Sequence, residues 1–176
     1  MFLKRSLGIV VSVLLSAGVR AQMLDEYQVK AAFLYNFAKF VEWPPQAFQR
    51  PGEPMAVCVV GQDRFEGALE ETVKGKEAEG RPLVVRNVTV AKGFAGCQIL
   101  FVSASERKHF PGILSSAKQC GLLTVGEAEG FASAGGMINF KLEGGRVRFE
   151  INVEAAQQRE LRISSKLLML AETVKK

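Results

Sequence analysis

Apolar and polar positions along the chain change period several times, and each change marks an element. From Asp25 to Trp43 the apolar residues recur at helical spacing. Val29, Phe33, Phe37, Phe40 and Val41 share one face of a helical wheel, Leu34, Tyr35 and Ala38 widen the stripe, and Lys30, Asn36, Lys39 and Glu42 leave a thin polar edge. Trp43 precedes Pro44-Pro45, a pair that stops a helix and fixes an extended exit, so its ring is expected to protrude. After the Pro- and Gly-rich linker 44–54, short β-branched runs predict strands at 55–60, 82–90, 97–103 and 121–125. Between them the pattern predicts a helix from about Asp63, with Asp63 and Glu66 as a capping box, and a second from about Ser105 to Gln119. Residues 137–153 alternate on both arms of Gly144-Gly145, which predicts an antiparallel hairpin. "AAQQRELRISSKLLMLAETV" then closes the chain as one or two helices, with Leu167, Leu168 and Leu170 in the apolar stripe.

These elements define an α/β fold class: a compact single domain whose mixed, mostly parallel sheet is flanked by helices, with a C-terminal β-hairpin and helix. The apolar faces of the first and last helices exceed what one side of a five- or six-stranded sheet can cover, so a symmetric homodimer is expected.

The N-terminus changes the compartment. Lys4 and Arg5 form a basic region, an apolar run follows from Leu7 to Val19, and Val19-Arg20-Ala21 has the small residues of a cleavage site. Residues 1–21 therefore read as a secretory signal peptide, because the run is too short to span a bilayer. The mature domain, 22–176, is expected in a bacterial periplasm. Losing Lys4, Arg5 and Arg20 from 23 basic residues lowers the net charge from +5 to +2. No basic cluster with interleaved aromatics remains, so no nucleic-acid groove is expected. A helix lying on a membrane would crowd Lys and Arg opposite its rings, which this one does not, so no direct membrane insertion is expected either.

Export makes the three cysteines informative. Cys58 lies inside one predicted strand and Cys97 opens another. If those strands are neighbours a disulfide is geometrically possible; otherwise both are buried thiols. Cys120 is then left over as a free or intermolecular thiol. Other chemistry is thin. Ser115-Ser116-Ala117-Lys118 spells S-x-x-K without its companion motifs and reads as a solvated helix face. His109 is the only histidine and no G-x-S-x-G elbow supplies a nucleophile for it. One histidine and three dispersed cysteines make a poor metal site. The stretch "VGQDRFEGALE" lacks the phosphate-loop pattern, and 126–136, though Gly-rich, lacks dinucleotide spacing and reads as a mobile loop before the hairpin. Asn87-Val88-Thr89 spells a glycosylation sequon but falls inside a predicted strand. No enzyme and no cofactor are expected. Four rings, Phe33, Phe37, Phe40 and Trp43, are the candidate partner- or ligand-binding residues.

"VKAAFLYNFAKFVEWP", "ILFVSASE" and "GGMINFKLEGGRVRFEINVEAAQQRELRISSKLLMLA" resemble the YfiR-like family of periplasmic regulators, and the resemblance covers nearly the whole mature chain. It implies a usually dimeric α/β domain that binds the periplasmic sensor domain of a membrane-bound diguanylate cyclase and keeps the cyclase off. The consequence would be negative control of cyclic di-GMP signalling, and hence of exopolysaccharide and biofilm. Cys58 and Cys97 match the positions of the family's disulfide, so the resemblance implies that they pair. A second pair found in some members falls on Ala132 and Asn139 here, and Cys120 is outside the pattern. The alternative function is an exported small-ligand-binding α/β module without catalytic activity, using the crevice at the C-terminal ends of the strands.

Overall fold

Helix α1 occupies residues 25–40 of the computed structural model, which describes residues 25–120 and 122–175, the side chains of 118–120 excepted. The expected signal peptide and the side chain of Cys120 lie outside the described residues. α1 ends three residues earlier than its apolar pattern predicts. Val41–Glu42 leave the helix to form β1, which pairs antiparallel with β9, Arg162–Ile163. Trp43 and Pro44 follow as extended chain, and a 3-10 turn takes Pro45–Ala47.

The remaining elements run β2 (Met55–Val60), α2 (Ala68–Val73), β3 (Glu77–Ala78), β4 (Arg81–Val88), β5 (Ile99–Val102), α3 (Phe110–Cys120, preceded by a 3-10 turn over Ala104–His109) and β6 (Leu123–Gly126). The hairpin follows as β7 (Ile138–Glu143) and β8 (Arg146–Asn152), then α4 (Val153–Gln157), β9, α5 (Ser165–Leu170) and β10 (Thr173–Lys175). Eight strands among the described residues form one sheet in the order β10-β8-β7-β6-β5-β2-β4-β3. All neighbours are parallel except β3 with β4 and β7 with β8. The mixed, mostly parallel sheet is thus present, widened by short strands that propensity does not announce.

Alternation along each strand sorts the core into two layers. Val57, Val59, Phe101, Val125, Phe140 and Phe149 face α1, α2, α4 and α5. Ala56, Cys58, Val60, Leu100 and Val102 face α3 and Phe131. Chain direction explains the two layers: β2 to β4 steps one way along the sheet and β5 to β6 the other, and a right-handed crossover must then place α2 and α3 on opposite faces. The reversal falls between β2 and β5.

The capping box at Asp63 does not form. Asp63 Oδ1 accepts from Phe65 N at 2.9 Å, Glu66 and Gly67 take φ of 50° and 89°, and the helix starts only at Ala68. Phe65 sets this geometry, because its ring is buried edge-on to Tyr27 and Phe101, with centroids 5.2 and 5.0 Å away. The 126–136 loop is also tighter than its glycines suggest. Phe131 lies fully buried against Gly126 and Gly136, where a Cβ would come within 2.3 Å of its ring, and it packs edge-on to Phe110.

Candidate functional site

The β7–β8 hairpin reaches further than the helix that covers it. Phe140 and Phe149 sit under Phe33 and Phe37 of α1, with ring centroids 5.1–6.0 Å apart. One step nearer the tip, Leu142 faces Val147 on the same side of the sheet, and the N-terminal part of α1, residues 25–33, approaches them. The result is a groove of about 290 Å³ with Phe33, Val29, Leu142 and Val147 as apolar wall and Asp25, Glu26 and Arg146 at its mouth. Leu142 is 51% exposed and Val29 38%. On the same side of the sheet α5 buries Leu167 but leaves Met169 78% and Leu170 56% exposed.

The four candidate rings do not form one patch. Phe37 is fully buried and Trp43 is 8% exposed, both within the core. Trp43 does not protrude as the double proline implied: its Nε1 donates to the carbonyl of Gln98 at 3.1 Å, and Gln98, itself buried, donates from Nε2 to the carbonyl of Ala47 and accepts from Ala56 N. The exit from α1 is folded back onto the sheet by this polar hub, which is why an extended Pro-Pro segment brings the ring in rather than out. Phe33 lines the groove, and Phe40 is half-buried beside Ser164, whose N–H donates to the Phe40 carbonyl. The inward face of α1 is Tyr27, Ala31, Leu34, Phe37 and Ala38, continued by Val41 of β1; Val29, assigned to that face by the wheel, lies outside it.

Lys30 contradicts the polar-edge reading most clearly. It is 5% exposed and ion-paired with Glu26 and with Glu127 Oε2, the latter at 2.7 Å. Glu127 also accepts from the Tyr27 hydroxyl at 2.8 Å and, through Oε1, from Ala104 N at 3.0 Å. Burial, and then the Glu127 carboxylate, push the Tyr27 hydroxyl well above its ordinary pKa, so it stays a donor. This cluster ties α1 to the chain just past β5 and β6. Only the i, i+4 pair of Glu26 and Lys30 was visible in the sequence as a signal.

Cys58 and Cys97 are joined by a disulfide, with Cα atoms 5.8 Å apart and a separation of 39 positions along the sequence. His109 meets only Glu106, at 3.1 Å on the surface, and Ser116 donates back to the Gly112 carbonyl. Asn87 is exposed within β4. Among the described residues no three or more ligating side chains converge as a metal site, and no helix is long and apolar enough to cross a membrane. At the sheet's reversal point the chain packs closely on itself: a Cβ on Gly61 would stand 2.6 Å from Ser105 Oγ, which accepts from Gln62 N at 2.9 Å.

Comparison with protein families matches residues 27–172 to the model described as YfiR/HmsC-like. Comparison with curated proteins returns no significant match. Among solved structures, a conserved domain protein from Vibrio cholerae O1 biovar eltor superposes with a TM-score of 0.51 at 15% identity, covering 68% of this chain and 54% of that one. The ABC domain in complex with L-Trp from Streptococcus pneumonia gives a TM-score of 0.51 at 13% identity, covering 68% of this chain and 55% of that one. The chain spans about half the length of these two structures, and at such identities the likeness is one of fold.

Proposed function

Because the chain belongs to the YfiR/HmsC-like family, we propose that it is a periplasmic regulatory binding protein that represses a membrane-bound diguanylate cyclase by contact with the cyclase's periplasmic sensor domain. Repression lowers cyclic di-GMP and with it exopolysaccharide and biofilm output. The family match over residues 27–172 carries this reading. The Cys58–Cys97 disulfide supports an oxidising compartment, since such bonds persist outside the cytosol. Inhibition by contact needs exposed apolar anchors rather than a nucleophile and base, and the groove beside Phe33 with Leu142 on its rim offers them.

Deletion of the gene should raise cellular cyclic di-GMP. The mature domain supplied with its signal should restore the low level, and the same domain without residues 1–21 should not, because the sensor surface it contacts lies across the membrane. Unchanged cyclic di-GMP in the deletion strain, with the cyclases shown to be expressed, would refute the proposal. The second reading, a small-ligand module, draws on the fold shared with an ABC domain that binds L-Trp. Its expected site, the crevice at the strand ends, is the place where Ser105 packs over Gly61, so the regulatory reading is the better supported.

A further inference from the structure

The hairpin that walls the groove also ends in an open sheet edge. β10 covers β8 only from Glu150 to Asn152, and the Phe149 carbonyl accepts from Glu172 N at 2.9 Å where the chain arrives from α5. Along a strand the backbone groups of successive residues turn to opposite neighbours. Asn152 N donates to the Met137 carbonyl just before β7, so the even-numbered residues of β8 turn their N–H and C=O toward β7 and the odd-numbered ones away from it. Val147 therefore presents both groups outward, beyond the reach of β10, and among the described residues no backbone group bonds to either. Such an edge accepts an added strand.

The side chains say which strand fits. Val147 lines the groove of about 290 Å³ together with Leu142 and Phe33. Arg146 and Arg148 leave the strand on its opposite face, both are exposed, and among the described residues neither makes an ion pair or a hydrogen bond. The carboxylates around them are otherwise engaged: Glu150 holds Lys141 at 3.0 Å, and the Glu172 carboxyl is hydrogen-bonded to that of Glu143. In an antiparallel bridge the residue opposite Val147 points the same way as Val147, and its two neighbours stand beside Arg146 and Arg148. A second copy of this chain, bridged through its own Val147, would set arginine against arginine, which repels.

We propose that the tip of β8 docks an extended partner segment with the pattern acidic–apolar–acidic: the backbone of its central residue exchanges two hydrogen bonds with Val147, its apolar side chain enters the groove, and its carboxylates meet Arg146 and Arg148. This gives the proposed cyclase contact its chemistry and rests on that reading for the origin of the segment. The ¹⁵N-labelled mature protein is titrated with the capped pentapeptide Thr-Glu-Leu-Glu-Thr, with Thr-Lys-Leu-Lys-Thr, and with the first peptide N-methylated at its leucine, which removes the central donor. The Val147 amide signal is expected to move with the acidic peptide, and the other two should bind at least about fivefold more weakly, one through the reversal of two exposed ion pairs and the other through a lost hydrogen bond. Arg146→Glu with Arg148→Glu should invert the order, so that the basic peptide binds more tightly than the acidic one. Equal binding of the acidic and basic peptides, equal binding after N-methylation, or a Val147 signal that does not respond would overturn the proposal. So would a Val147 signal that moves with protein concentration alone, which would seat a second copy on the edge. If the arginine variant does not fold, the three peptides on the unsubstituted protein decide. No cyclase is present in these titrations, so their failure removes the docking chemistry and leaves repression to the deletion strain; unchanged cyclic di-GMP there removes the cyclase as the source of the segment and leaves the peptide result standing.

Discussion

Glu79 shows how a single residue can work against its own turn. It and Gly80 form the two-residue connection of β3 and β4, with φ of 53° and 70°, a pair of left-handed positions that Asn-Gly fills best. Burial, and then the Glu42 carboxylate, raise the Glu79 carboxyl above its ordinary range, against the pull of Arg81. A raised folded-state pKa means that the group's favourable contribution is complete below the unfolded value and is lost as pH rises through the folded one. Glu79→Asn should therefore stabilise by about 0.5–1 kcal/mol at neutral pH, mainly through the backbone since the electrostatic part is solvent-screened, and by less in acid. Urea unfolding at several pH values reads this directly, and a gain that grows toward acid pH would contradict the assignment. Trp43 is the opposite case, a residue whose neighbours in sequence conceal its role. Its ring is in the core, so Trp43→Ala should cost about 3–5 kcal/mol in the same assay; a cost under about 1 kcal/mol would mean that the ring is at the surface.

Two long-range ties hold the elements in place. The Cys58–Cys97 bond joins β2 to the chain just before β5 and encloses α2, β3 and β4. On the chain-entropy model it contributes about 4 kcal/mol, so Cys58→Ala should lower stability by that order, and non-reducing peptide mapping should recover the Cys58–Cys97 pair with Cys120 alkylatable. A Cys120 crosslink to either would refute the pairing. Lys30 and Glu127 are the second tie. Removing one partner strands a buried charge, so Lys30→Met should cost about 3–5 kcal/mol, while Lys30→Met with Glu127→Gln should cost much less than the two changes summed. Additivity in that cycle would show that the pair is not coupled. Neither tie was fully legible in the sequence, and the reasons differ. β2, β7, β8 and the Gly-Gly turn announce themselves because their apolar alternation is local and their turn chemistry specific. β1, β9 and β10 are two or three residues long and exist only because a distant strand offers free backbone groups. Lys30 reads as a solvated helix edge until the fold carries Glu127, 97 residues on, to within reach. Arg146 and Arg148 likewise look like ordinary strand residues; only the strand pairing shows that they flank an open edge.

For the whole molecule, the sheet is wider than expected, yet the apolar surplus persists on the side that carries α1 and α5. It lies in two places, the groove at the first turns of α1 and the exposed end of α5. Met169 and Leu170 are both exposed, and a two-fold contact is the commonest way for such a pair to be buried. The expected homodimer should then depend on α5: Met169→Glu with Leu170→Glu should convert it to a monomer by light scattering, without changing the unfolding free energy of the isolated domain by more than about 1 kcal/mol. Wild-type protein that is monomeric through the micromolar range would count against assembly altogether. The proposed cyclase contact makes a separate demand on the groove. Leu142 is half exposed at the end of the hairpin, so Leu142→Glu should fold normally. A charge placed on the rim of an apolar docking surface must be desolvated for a partner to seat, which costs several kcal/mol. Capture of the cyclase from solubilised membranes should be lost and cyclic di-GMP should rise toward the deletion level, while the dimer persists. Full repression by Leu142→Glu would move the contact off the groove, and the same substitution tested beside the α5 pair shows whether assembly and repression use one surface or two.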